Sequence, residues 1–247
     1  MSLKNKSVLV TGGAGFIGSH LVDRLVREEP ERITVVDNLF LGKESNLNDA
    51  RASFPGIRFY RQDASDHEKM SDILKREGVQ VIFNLAVIPL PASLTQPRWS
   101  FEQNVDIALT ICELAREDLF DTLVHFSSSE AYGTSEYAPM DEKHPLNGTT
   151  PYAASKAACD QLIFSYCRTF GMDASIIRPF NNYGPRQNEG SYAGVIPLTV
   201  KRILKGESPV IYGDGKQTRD YLYVGDTANA AVEIYNNKST RNKVLNI

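Results

Sequence analysis

Cysteine is scarce in this chain of 247 residues, which holds only Cys112, Cys159 and Cys167. Their odd number and their places inside helical patterns exclude a disulfide framework and a paired-cysteine zinc site, and they read as reduced core thiols. The histidines His20, His67, His125 and His144 are dispersed, so no metal site is expected. Long apolar runs are missing too. No uncharged stretch reaches the length a bilayer demands, and the opening MSLKNK passes straight into an apolar strand without the hydrophobic region of a secretory leader. A cytoplasmic protein is the expectation. Basic runs are equally absent: 27 lysines and arginines are scattered among 30 acids for a net charge of -3, which argues against a nucleic-acid surface. There is no internal repeat and no low-complexity linker.

What is present is 42% hydrophobic residues, ample for a packed core, in short apolar runs that alternate with helical patterns. That rhythm predicts an α/β fold. Val8, Leu9 and Val10 lack polar alternation, as expected of a strand buried on both faces of a parallel sheet. Gly12, Gly15 and Gly18 follow at every third position, and Ile17, Leu21, Val22, Leu25 and Val26 then repeat at helical spacing until Glu28, Glu29 and Pro30. Glycine suits this turn because a Cβ would block both the bend and the approach of backbone amides to a pyrophosphate at the positive end of a helix. The next apolar run, Ile33 to Val36, ends in Asp37, where a carboxylate can accept from ribose hydroxyls. It would repel a 2′-phosphate, so NAD is favoured over NADP, and Asn38 does not reverse that.

Further strands are predicted at Ile57 to Tyr60, Val79 to Leu85, Thr122 to Phe126 and Asp173 to Arg178, with helices at about Asp66 to Arg76, Trp99 to Arg116 and Thr150 to Phe170. Asp63, just past a strand end, reads either as a partner for an adenine amino group or as an acidic helix-entry residue. Asn84 to Val87 are delivered to the cofactor edge of the sheet. The prolines Pro89, Pro91 and Pro97 predict an extended path, either lining a cleft or simply connecting elements. Asn104, on a core helix, reads as structural. Thr122 to Phe126 runs into SSSEAYG, placing hydroxyls at the carboxyl end of a parallel strand, where doubly wound folds bind ligands. Tyr152 and Lys156 stand one helical turn apart and so share a face. A phenol near its reference pKa of about 10 is a poor base at neutral pH, and a neighbouring ammonium is expected to lower it. Lys156 would activate Tyr152, and Ser128 would hydrogen-bond the same substrate oxygen, an arrangement suited to hydride removal from a carbinol.

The spacing TGGAGFIG, Asp37, SSSEAYG, YAASK and the later RPFNNYGPRQ together resemble the NAD-dependent nucleotide-sugar epimerase/dehydratase branch of the extended short-chain dehydrogenases/reductases. The resemblance implies a Rossmann-type doubly wound parallel sheet over residues 1–178. It also implies a small C-terminal lobe, residues 179–247, that binds the nucleotide sugar, returns strands to the core and reads as incomplete where the chain stops at VLNI. NAD would lie against Gly12, Gly15, Phe16, Ile17, Gly18, Asp37, Asn38, Asp63, Ala64, Leu85 and Ala86, with Tyr152 and Lys156 at its reactive end. Members of the family oxidise a sugar hydroxyl, usually at C4, and the 4-keto intermediate then epimerises, loses water or decarboxylates. Glu130 stands where dehydratases carry a glutamate that takes the C5 proton, while Ser129 replaces their aspartate. Serine followed by glutamate is similar to a second dehydratase subgroup and to the sugar-acid decarboxylases, whereas simple 4-epimerases usually carry a small residue where Glu130 stands. Elimination is therefore favoured, with 4-epimerisation and decarboxylation as alternatives and a polar strand-end cap as the bland reading of Glu130. Asn181 and Arg219 match diphosphate-binding positions, and Arg186 and Val195 would meet the nucleotide. Tyr212 reads equally as a stacking residue or as core. A homodimer through the two long helices is the expected assembly.

Overall fold

The apolar runs read from the sequence pair side by side as strands. The computed structural model describes residues 1–190, 194–211 and 213–247. In chain order, β1 (Ser7–Thr11), α1 (Phe16–Val26), β2 (Arg32–Val36), α2 (Asn48–Ser53), β3 (Ile57–Tyr60) and α3 (His67–Glu77) come first. β4 (Val81–Asn84), α4 (Leu90–Thr95), α5 (Pro97–Arg116), β5 (Thr122–Phe126), α6 (Pro151–Phe170) and β6 (Ala174–Arg178) follow. β7 (Asn181–Tyr183), α7 (Val195–Leu204), β8 (Tyr221–Tyr223), α8 (Val224–Asn236) and β9 (Val244–Asn246) complete the order.

The main sheet has seven parallel strands in the order β3-β2-β1-β4-β5-β6-β9, and β7 pairs with β8 in a separate two-stranded sheet. Alternation along each strand serves two cores. Val8, Val10, Phe83, Val124 and Phe126 turn toward Leu21, Val22 and Leu25 of α1 and Ala228, Ala231 and Val232 of α8. Leu9, Ile82, Leu123 and Ile176 turn to the other face, against Met70 and Leu74 of α3, Ile107 and Ile111 of α5 and Ile163 of α6. Each fully buried aliphatic side chain contributes about 1.5–3 kcal/mol. Because α8 and β9 lie after the two-stranded sheet yet pack with α1 and β6, the last third of the chain returns to the main core.

Local chemistry fixes the helix ends. Asp66 caps α3 by accepting from the Lys69 N–H at 3.1 Å, and Gly78, at φ 58°, ends it. Thr150 Oγ1 accepts from the Ala153 N–H at 3.1 Å with Pro151 in the first turn, which starts α6 so that Tyr152 sits at its mouth. One expectation is corrected. The proline-bearing stretch is not extended: after Pro89 it turns as α4, and Pro97 opens α5. Pro91 and Pro97 occupy first-turn positions, where the missing N–H has no helical partner to lose.

The strand order reverses between β1 and β4, which opens a crevice at their carboxyl ends. α7 buries none of its residues and leaves Val195, Leu198, Val200, Ile203 and Leu204 exposed. Among the described residues no helix is long and apolar enough to cross a membrane.

Candidate active site

The crevice is a cavity of about 530 Å³ whose wall runs from Gly12, Gly15, Phe16, Ile17 and Gly18 to Ser128, Tyr152 and Lys156. Its glycine end is built by contact. Gly12 has φ +65°, and a Cβ there would lie 2.9 Å from the backbone of Leu85 and Ala86. A Cβ on Gly18 would lie 2.2 Å from the Gly12 carbonyl oxygen, so Gly18 is required for α1 to pack on the turn. Gly15 differs: its nearest obstruction is 3.1 Å away, and it faces the cavity. α1 begins at Gly15 without a side-chain cap or an acid in its first turn. First-turn amides have no helical carbonyl to bond, so the helix offers them to an anion. The cradle fits a dinucleotide pyrophosphate.

Asp37 directly follows β2 and is buried in this wall. Its Oδ2 accepts from the Ala14 N–H at 3.0 Å and its Oδ1 from the Leu39 N–H at 2.8 Å. Burial pushes its pKa up, and the backbone donors of Leu39, Ala14 and Gly15 oppose that shift. A carboxylate has about four lone-pair sites, so capacity remains for ribose hydroxyls. Next to it the Asn38 amide donates to Asp63 Oδ2 at 3.0 Å. Burial raises the Asp63 pKa, but hydrogen bonds from the Ser65 N–H and hydroxyl and from Asn38 outweigh it, and the acid stays below its ordinary value. Ala64, Leu85 and Ala86 also line the cavity.

At the far end, Ser128 follows β5 and accepts through Oγ from the Glu130 N–H at 3.2 Å. Tyr152 and Lys156 project from the first turns of α6, and all three side chains meet in one wall. The electrostatics correct one expectation. Lys156 is buried and donates from Nζ to the Phe126 carbonyl at 2.7 Å. It does not acidify the phenol. Desolvation pushes the Tyr152 pKa up to about 12, with the Ser128 hydrogen bond lowering it and the Glu130 and Cys159 charges raising it. Desolvation likewise lowers the Lys156 pKa. By itself the protein holds a neutral phenol that can donate to a substrate oxygen.

Residues 8–247 match the NAD dependent epimerase/dehydratase family. The chain belongs to it. NAD is the cofactor of the family, and the fold agrees with its solved members: DesIV, a dTDP-glucose 4,6-dehydratase from Streptomyces venezuelae with NAD bound, superposes with a TM-score of 0.89 at 32% identity, covering 98% of this chain and 75% of that one. A UDP-glucose 4-epimerase from Mycolicibacterium smegmatis is 37% identical over 91% of this chain and 71% of its own length. A dTDP-glucose 4,6-dehydratase from Actinoplanes sp. is also 37% identical, over 89% of this chain and 69% of its own length. Similarity at this level fixes the family and does not separate its epimerases from its dehydratases.

The residues assigned to substrate fall less neatly than those assigned to the family's cofactor. Arg186 lines the cavity but donates to Asp23 on α1 at 2.7 Å and to Asp49 on α2 at 3.4 Å, so acids already occupy its guanidinium. Asn181 donates to the Asp220 carbonyl at 3.1 Å and lies outside the wall, whereas its neighbour Asn182 is part of it. Val195, Glu130 and the exposed Arg219, which donates to its neighbour's carbonyl, also lie outside the wall. Tyr212 lies outside the described residues. Asn104 ties α5 to the β4–α4 connection, accepting from the Ile88 N–H at 2.7 Å and donating to Ile88 O and Ser155 Oγ, a structural role.

Sequence reasoning missed a polar row beneath the cofactor wall. Thr11, Asn84 and His125 are register partners on β1, β4 and β5. The N–H groups of Leu85 and Ala86 both donate to Thr11 Oγ1 at 3.1 Å, so the threonine proton goes to Asn84 Oδ1 at 2.6 Å. Polar residues at the ends of three apolar strands were the available signal. Lys43 and Asn46 were missed as well, although the Lys43 N–H and the Asn46 amide both bond the Ala14 carbonyl and fold their segment over the glycine turn.

Proposed function

We propose that this protein modifies a nucleoside-diphosphate sugar by removing the C4 hydrogen and returning it, with 4,6-dehydration as the net reaction. The observation that carries this reading is the meeting of Ser128, Tyr152 and Lys156 in the same wall as the glycine cradle. NAD, when bound, supplies the hydride acceptor and, in its oxidised form, a positive charge that favours ionisation of a nearby phenol. Tyr152, ionised beside the bound cofactor, takes the proton of the C4 hydroxyl, Ser128 holds the same oxygen, and Lys156 stands at the same end of the cavity to hold the nicotinamide ribose. The 4-keto sugar so formed has an acidic C5–H. Glu130, close enough for its charge to act on Tyr152, is the candidate base for that proton and can pass it to the C6 oxygen, which leaves as water before the hydride returns at C6.

A second reading, 4-epimerisation, draws on Ser129, which supplies no acid for the departing C6 oxygen. A panel of nucleotide sugars read by mass spectrometry in deuterated water separates the outcomes. Loss of water with deuterium at C5 supports dehydration; unchanged mass with a new C4 configuration and no deuterium supports epimerisation; loss of carbon dioxide indicates a sugar-acid decarboxylase. Turnover unaffected by Tyr152→Phe, in a protein that binds no NAD, would overturn the whole reading, and NAD binding without any conversion would leave a dinucleotide-binding sensor. We further propose a cytoplasmic homodimer that joins through α5 and α6, whose Phe101, Leu109 and Phe170 are exposed.

A further inference from the structure

α6 carries its chemistry one turn beyond Lys156. Tyr152, Lys156 and Asp160 stand at successive four-residue steps, so they share one helix face. Asp160 is fully buried and Arg178, on β6, is 3% exposed. Arg178 donates from Nε at 2.9 Å and from Nη2 at 2.8 Å to the same oxygen, Oδ2, and its guanidinium lies 4.7 Å from the Tyr132 ring centroid. The Ser127 hydroxyl lies beside the carboxylate and, with Arg178, favours its charged form.

We propose that Asp160 is a positioning residue for Lys156: held through one oxygen by Arg178, it is the buried anion that keeps Lys156 an ammonium beside Tyr152 and Ser128. The inference rests on the catalytic reading of Tyr152 and Lys156 given above. Burial of Lys156 favours the neutral amine, while its bond to the Phe126 carbonyl and any anion nearby favour the ammonium. The groups around Lys156 are Tyr152, Cys159 and Asp160 on α6, His125 on β5, Glu130 near Tyr152, and Arg178 behind Asp160. Burial pushes the Cys159 thiol to about 11, so it is neutral at working pH. His125 Nδ1 faces the Asn84 amide at 3.1 Å, and burial together with Lys156 holds the ring well below the ordinary histidine value. It too is neutral. Burial raises the Asp160 pKa, and Arg178, Ser127 and Lys156 act against that rise. Arginine cannot give up its proton, so neutralising Asp160 would strand a buried cation, and the carboxylate stays charged.

The test follows the Lys156 Cε signal in protein carrying 13C-lysine, assigned by its loss in Lys156→Met, as pH is raised. In Asp160→Asn the midpoint should fall by about one pH unit or more, a tenfold rise in the acid dissociation constant, and Asp160→Glu should restore it. Should Asp160→Asn fail to fold with Arg178 unpaired, the double variant Asp160→Asn with Arg178→Met removes the stranded charge; because a cation is lost with the anion, its midpoint should fall in the same direction by less. An unmoved Lys156 midpoint in a variant that keeps the wild-type circular dichroism and melting temperature overturns the proposal. Unchanged turnover in Tyr152→Phe would instead overturn the catalytic reading and leave the titration result standing.

Discussion

At the residue scale, two glycines of one turn do different work, and substitution should separate them. A Cβ on Gly18 would collide with the Gly12 carbonyl oxygen at 2.2 Å, so Gly18→Ala overpacks a rigid backbone contact. It should cost about 1–3 kcal/mol of stability, read as a lower denaturation midpoint. Gly15 has extended backbone angles that alanine tolerates and a nearest contact at 3.1 Å. Gly15→Ala should therefore melt within a few degrees of wild type while losing NAD affinity in calorimetry; equal affinity would show that nothing approaches the turn there. Tyr152 makes a second residue-scale prediction. The fold holds its phenol protonated up to about 12, whereas the unfolded chain releases that proton near 10. The unfolded state thus loses its proton first as pH rises, so Tyr152 weakens the fold between about pH 10 and 12 and has no such effect below. Tyr152→Phe should flatten the loss of stability in that window, measured by urea denaturation at stepped pH, and leave the neutral-pH value nearly unchanged.

At the scale of elements, the segment after β7 is strapped across the cofactor cavity. His20 on α1 donates from Nε2 to the Pro185 carbonyl at 3.0 Å, Arg186 reaches Asp23 and Asp49, and the cavity wall continues through Gln187, Asn188 and Glu189. An enzyme that returns its hydride within each cycle gains from slow cofactor release. Asp23→Asn should raise the NAD dissociation rate about 3- to 10-fold, on the order of 1 kcal/mol for a partly exposed pair, and the difference should shrink in high salt. Stopped-flow displacement of NAD measures it; a rate equal to wild type at low salt would remove the strap from cofactor retention. This element was hard to read in advance. RPFNNYGPRQ carries no periodicity, and Arg186 sits at φ +64°, a conformation no residue pattern announces. Strands buried on both faces were legible because their apolar runs are uninterrupted, and the glycine turn and the Tyr152–Lys156 spacing were legible because they are local in sequence. The Phe126 carbonyl that takes Lys156, the Thr11–Asn84–His125 row and the Asp160–Arg178 pair depend on strand register and helix packing, which join residues far apart in the chain.

At the scale of the whole molecule, the cofactor cavity draws its walls from segments far apart in the chain: the turn after β1, the start of α1 and the end of β2 on one side, the ends of β5 and β6 and the segment after β7 on the other. A ligand touching all of these should stabilise the fold as one unit. With NAD at a hundredfold excess over its dissociation constant the gain is about 2.7 kcal/mol, or roughly 5–10 °C in melting temperature for a domain of this size. NADP should give little of this. The buried Asp37 carboxylate already holds the Ala14 and Leu39 amides, so it cannot swing away from a 2′-phosphate, and two like charges would meet in a site with little water to screen them. Asp37→Asn removes the charge, keeps an acceptor for one of the two amides, and should narrow the gap between NAD and NADP while lowering the melting temperature of the free protein. Equal shifts from the two cofactors in the wild type would mean that Asp37 does not face the ribose, and the placement of the adenosine end of the cavity would have to be abandoned.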